Sequence, residues 1–131
     1  MFLDTNVYSA LARGVQPAID VVRAVPELRM PLPVIAELRY GFLKGSQRDR
    51  NEQTLQRFLA QPHVSVAVPS LETTNVYAEL QQYCMQRGKA LSHNDIWIAA
   101  LAHESGEPLA TFDKDFSVFS ALLDEKLILL G

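Results

Sequence analysis

Cysteine is nearly absent: Cys84 stands alone among 131 residues, so neither an intramolecular disulfide nor a thiolate zinc site can form. A reducing compartment is expected. The three histidines, His63, His93 and His103, show neither Glu-x-x-His nor His-x₃-His spacing, which argues against an imidazole zinc centre. No apolar run approaches the ~18 residues of a membrane span. The start, Met1-Phe2-Leu3-Asp4, places an acid where a secretion signal carries basic and then apolar residues. A soluble, cytoplasmic protein is the expectation. The six glycines form no phosphate-cradling loop, and no segment is of low complexity or repeats at a fixed period.

What remains is the material of a single domain over residues 1–131, 48% hydrophobic and 21% charged. A chain of this length buries roughly two-thirds of its unfolded surface without a staple. The net charge of −3 speaks only weakly against a nucleic-acid partner, because charge is unevenly distributed. Between Leu38 and Arg50, Arg39, Lys44, Arg48 and Arg50 face one acid, Asp49. That cluster suits either a solvated helix–loop–helix surface or contacts to RNA phosphates.

Patterning predicts strands alternating with helices. The apolar start to Leu3 leads through Asp4-Thr5-Asn6 into a helix ending near Gly14, and a second short helix covers 18–24. A strand over 28–30 lies between Pro26 and Pro31, and Pro33 suits the first turn of a helix running to Lys44. Another helix spans 48–60. The β-branched run Val64 to Val68 predicts a strand buried in a sheet, followed by a long helix over 70–87. Ser92 opens a helix that is apolar on every side from Ile96 to Ala102 and is therefore expected to be buried. A strand over 109–112, a short helix over 116–123 and a last strand over 127–130 complete the chain. This is the α/β class, an α/β/α domain with a central parallel sheet flanked by helices.

In such folds the working site lies beyond the carboxyl ends of the strands, and acids gather there. Asp4 follows the first strand, Asp113 and Asp115 follow the strand over 109–112, and Asp95 stands at the mouth of the buried helix. Glu37 lies just outside the apolar arc of its helix. Each has a structural alternative: Asp4 suits an N-cap, Asp95 a capping box with Ser92, and Asp113 and Asp115 a turn. Together, converging carboxylates would repel one another unless a cation compensates, and hard oxygen ligands select Mg²⁺ or Mn²⁺.

The runs Leu3-Asp4-Thr5-Asn6, Ala36-Glu37-Leu38-Arg39-Tyr40-Gly41, Asn94-Asp95-Ile96-Trp97-Ile98-Ala99-Ala100 and Thr111-Phe112-Asp113-Lys114-Asp115-Phe116 resemble, in order and spacing, the PIN domain. The similarity is greatest to VapC-type toxins of bacteria, and it covers essentially the whole chain. The resemblance implies a PIN-like fold, Mg²⁺- or Mn²⁺-dependent endoribonuclease activity on structured RNA such as tRNA or rRNA, a VapB-like antitoxin partner and a homodimer. It places Asp4, Glu37 and Asp95 on the family's acidic positions, Asp4 and Asp95 as metal ligands, and either Asp113 or Asp115 on the fourth. Asn6 and Thr111 fall on supporting positions and are expected to orient carboxylates or water, while Arg39, Lys44, Arg48 and Arg50 are candidates for RNA contact. Because the attacking oxygen comes from water, 5′-phosphate and 3′-hydroxyl ends are expected. The alternative is a catalytically silent module that only binds an antitoxin or oligomerises.

Overall fold

The computed structural model describes all residues from Met1 to Gly131. Five parallel strands form one sheet in the order β3-β2-β1-β4-β5: β1 (Phe2–Leu3), β2 (Leu28–Pro31), β3 (Val64–Ala67), β4 (Leu109–Thr111) and β5 (Leu127–Leu129). Around them lie α1 (Thr5–Ala12), α2 (Gln16–Arg23), α3 (Leu32–Lys44), α4 (Arg48–Leu59), α5 (Leu71–Gln86), α6 (His93–Ser105) and α7 (Ser120–Leu123). This is the expected α/β/α arrangement, a central parallel sheet flanked by helices. No helix is long and apolar enough to cross a membrane.

Register explains how so short a first strand holds the centre. Phe2 pairs with Arg29 of β2 on one side and Leu109 of β4 on the other, and Leu3 pairs with Ala110. Phe2, Leu3, Leu109 and Ala110 are wholly buried, as a strand covered on both faces requires. From β1 the chain builds outward to β2 and β3, then returns to place β4 on the other side of β1. Strand direction of growth therefore reverses between β1 and β4, which opens a crevice at their carboxyl ends.

The apolar run in α6 is buried as its composition predicts: Ile96, Ile98 and Ala99 to Ala102 all lie in the core. The helix packs against α5 and α3, so its amino terminus, carrying Asn94 and Asp95, is set beside α3. Gly106 ends it with φ +66°, a left-handed cap that a β-carbon would strain.

Two sequence expectations need correction. The run Val64 to Val68 is not a strand buried in the sheet. It forms the edge strand β3, pairing only with β2, and Ser65, Val66 and Val68 are exposed. The helix expected over 116–123 divides into a 3₁₀ segment, Lys114–Phe119, and α7. Its tight start follows from the Asp113 carboxylate, which accepts the Asp115 N–H at 2.9 Å and closes a turn there.

Candidate active site

Asp4 occupies the crevice between β1 and β4. Its backbone is extended, and its Oδ1 accepts the Thr5 N–H at 2.7 Å, capping α1. Its Oδ2 accepts the Thr111 hydroxyl proton at 2.6 Å from the end of β4. The cap alternative and the site role are thus compatible, since each carboxylate oxygen keeps a second lone pair. The Thr111 hydroxyl also accepts the Asp113 N–H at 2.9 Å, so one residue ties Asp4 to the Asp113 turn. Asn6 acts differently. Its side-chain oxygen accepts the Phe112 N–H at 3.1 Å, fastening the first turn of α1 to the chain after β4 and orienting backbone rather than a carboxylate.

The other acids arrive from helices and turns. Glu37, half-buried on α3, accepts a hydrogen bond from the Asn94 side-chain amide at 3.0 Å. Ser92 caps α6 by accepting the Asp95 N–H at 3.2 Å, and no return bond from the Asp95 carboxylate to the backbone completes a capping box. Asp4, Glu37, Asp95 and Asp113 together line one open cleft of about 340 Å³. Asp115 does not line it: at 2.8 Å from Nζ, its carboxylate is paired with Lys89.

None of the four cleft carboxylates has an ion-pair partner among the chain's cations. Burial, opposed by the bonds from Thr111 and Thr5 and reinforced by the charges of Asp95 and Glu37, raises the Asp4 carboxyl from 3.8 to about 6. Burial also raises Asp95, with Asp113, Glu37 and Asp115 adding repulsion while Ser92 opposes it. A bound cation would relieve that repulsion, and the donors are hard oxygens of the kind that suit Mg²⁺ or Mn²⁺. The Thr5 hydroxyl in the same cleft is buried and has no hydrogen-bond partner. The carboxylates are not drawn into a compact group of three or more that could enclose a metal ion; the fit to a divalent cation rests on their oxygen donors and on the absence of an ion-pair partner.

Of the basic residues singled out in the sequence, none lines the cleft. Arg39 holds Glu52 through two bonds of 3.0 Å, and Lys44 lies over the Tyr40 ring. Arg48 and Arg50 are exposed on α4. The cation that does line the cleft is Arg13, the residue that caps the end of α1, together with Thr5, Asn6 and Ser9 of that helix. Sequence reasoning passed over it, although Thr5, Ser9 and Arg13 recur at intervals of four directly after Asp4, one row of a helix.

Comparison with known proteins bears on the family and the fold. The family model of the PIN domain matches residues 1–122. Ribonuclease VapC5 of Mycobacterium tuberculosis is 26% identical over 126 residues, spanning 96% of this chain and 92% of that protein. Ribonuclease VapC2 of Rickettsia felis is 32% identical over 78 residues, 60% of this chain and 57% of that protein. Among solved structures, a chain of VapBC2 from Rickettsia felis, bound to a DNA fragment from its promoter, superposes with a TM-score of 0.80 at 25% identity, covering 98% of this chain and 96% of that one. A chain of VapBC-1 from nontypeable Haemophilus influenzae gives 0.75 at 22% identity, covering 92% of each.

Proposed function

This chain belongs to the PIN domain family, and from that premise we propose that it is a divalent-cation-dependent endoribonuclease, the toxin of a toxin–antitoxin pair. The observation that carries the reading is the set of four carboxylates, Asp4, Glu37, Asp95 and Asp113, which line one cleft at the switch point with none of them in an ion pair. Similarity to proteins named ribonuclease VapC5 and VapC2 supports the activity. Structural likeness to chains of VapBC assemblies supports a VapB-like partner.

Asp4 and Asp95 would hold a Mg²⁺ or Mn²⁺ ion, which would supply positive charge beside the scissile phosphate and lower the pKa of a bound water. Thr111 and the Thr5 amide fix the Asp4 carboxylate before substrate arrives, so little reorganisation is required at reaction. Asn94 steadies Glu37, and Thr111 steadies the Asp113 backbone. These two carboxylates serve as proton acceptors or further ligands. Water as nucleophile leaves the ribose 2′-hydroxyl out of the chemistry, so the products carry 5′-phosphate and 3′-hydroxyl ends. The substrate class is structured RNA, tRNA or rRNA, and the working unit is a homodimer in the cytoplasm. Because the cleft is acidic, a basic side chain of the antitoxin would silence it by taking the place of cation and substrate.

The test is a map of 5′-phosphate RNA ends across a bacterial transcriptome after induction of the wild type and of Asp4→Asn. New ends at a few structured sites with wild type alone are expected. New ends from neither of the two folded proteins would favour a silent binding module or a nuclease whose target the host lacks, new ends from both alike would take Asp4 out of the reaction, and 2′,3′-cyclic phosphate ends would remove the hydrolytic mechanism.

A further inference from the structure

Beside the acidic cleft lies a second cavity, about 250 Å³, walled by α1, α3 and α4. Ser9 and Arg13 line both, so the two are continuous along one face of α1. The floor is apolar, with Leu38 and Phe42, and the α4 wall carries Asn51 and Thr54.

Two of these groups are uncommitted. The Arg13 guanidinium makes no ion pair, side-chain hydrogen bond or ring contact, although four carboxylates share its cleft. Arg29, Arg39, Lys89 and Arg87 are engaged by Glu107, Glu52, Asp115 and the Tyr83 ring; Arg23, Arg48, Arg50, Lys114 and Lys126 are free as well, and what sets Arg13 apart is its place on both the acidic cleft and this cavity. The half-buried Asn51 amide likewise has no side-chain partner, whereas Thr54 already donates to the Arg50 carbonyl. A free guanidinium at the mouth of an apolar cavity with a free amide on its wall matches the parts of a nucleotide: phosphate, planar ring and ring edge.

Resting on the ribonuclease reading, we propose that this cavity is the subsite for the nucleotide next to the scissile bond. Arg13 takes its phosphate, Leu38 and Phe42 receive the face of an unstacked base, and Asn51 reads the base edge. A protein with an acidic catalytic cleft needs a cation beside it to hold the strand, and Arg13 is the residue in that position. The cavity also confines recognition to a base that has left its stack, in loops or single strands.

The test uses a short, random-sequence single-stranded RNA pool and the full chain. Affinity is followed against salt without divalent cation, and base preference is read both in the bound fraction and in the products cut with Mg²⁺. Arg13→Ala is expected to weaken binding about tenfold for all sequences and to lower the salt slope by about one, while Arg13→Lys keeps the slope. Ala12→Trp, an exposed position lining the cavity, is expected to keep the slope and flatten the preference at one position beside the cut. An unchanged slope in Arg13→Ala, or an unchanged preference in Ala12→Trp, overturns the subsite and leaves the cavity to a protein side chain. A wild type that binds as described and cuts nothing would refute the nuclease reading alone.

Discussion

The two edges of the sheet treat their carboxylates in opposite ways. At the amino-terminal edge Glu107, just ahead of β4, is met by Arg29 at 2.7 Å and by the Met1 ammonium at 3.7 Å, and the Arg29 guanidinium also rests over the Phe2 ring. The acid there is satisfied by its own chain. At the carboxyl edge of the same strands Asp4, Glu37, Asp95 and Asp113 share a cleft with no such partner, and Asp4 is pushed to about 6. The first arrangement closes the fold. The second leaves charge to be balanced by something from outside, which is how a site for a cation and a polyanionic substrate differs from a structural ion pair.

Breaking the unpaired edge should disable chemistry before it harms the fold. Asp95→Asn is expected to lower the rate of RNA cleavage in Mg²⁺ by about 10²–10³-fold, the scale of losing one preorganised charged group. Circular dichroism should show the fold intact. A cleavage rate within a few-fold of wild type would place Asp95 outside the reaction.

The sharper contrast is in stability. The folded protein holds the Asp4 proton more tightly than an unfolded chain does. Stability without divalent cation therefore falls as pH rises from 3.8 towards 6, and the penalty is complete above that range. Asp4→Asn removes the penalty and gives up part of the bonding to Thr5 and Thr111. The net expectation is a gain of about 1–3 kcal/mol in cation-free urea unfolding at pH 8, which shrinks as pH falls and turns into a small loss near pH 4, where only the forfeited bonding remains. A variant less stable than wild type at pH 8 would show that the hydrogen bonds outweigh the buried charge.

The smallest effect belongs to the paired edge. Glu107→Ala breaks contacts that are about a third exposed, so it should cost up to about 1 kcal/mol. Unlike Asp4→Asn, it should destabilise the fold at pH 8 and leave cleavage unchanged. Loss of cleavage without loss of fold would show that the two edges are coupled.

The site was largely legible from the sequence because its acids sit where strands run into turns and helices, a placement that local pattern reveals. Asp4, Asp95 and Asp113 follow directly from it, and Glu37 from its position at the border of an apolar arc. What pattern cannot show is which distant group answers each side chain. Asp113 and Asp115 are equivalent by spacing, and only the reach of Lys89 across 26 residues separates them. Arg39 looks free in the sequence until α4 folds back and presents Glu52. The exposure of β3 was hidden for a related reason: an apolar run predicts a strand but does not say whether a neighbour stands on both sides. Arg13 went unnoticed because a lone arginine at a helix end has no meaning until the cleft beside it exists.

The most direct test of the contrast between the edges is Mn²⁺ affinity, measured calorimetrically at pH 8 for the wild type, Asp4→Asn, Asp95→Asn and Glu107→Ala. The account predicts binding by the wild type and Glu107→Ala alike, and a loss of at least about tenfold in each of the other two. Equal affinity in all four proteins would contradict it.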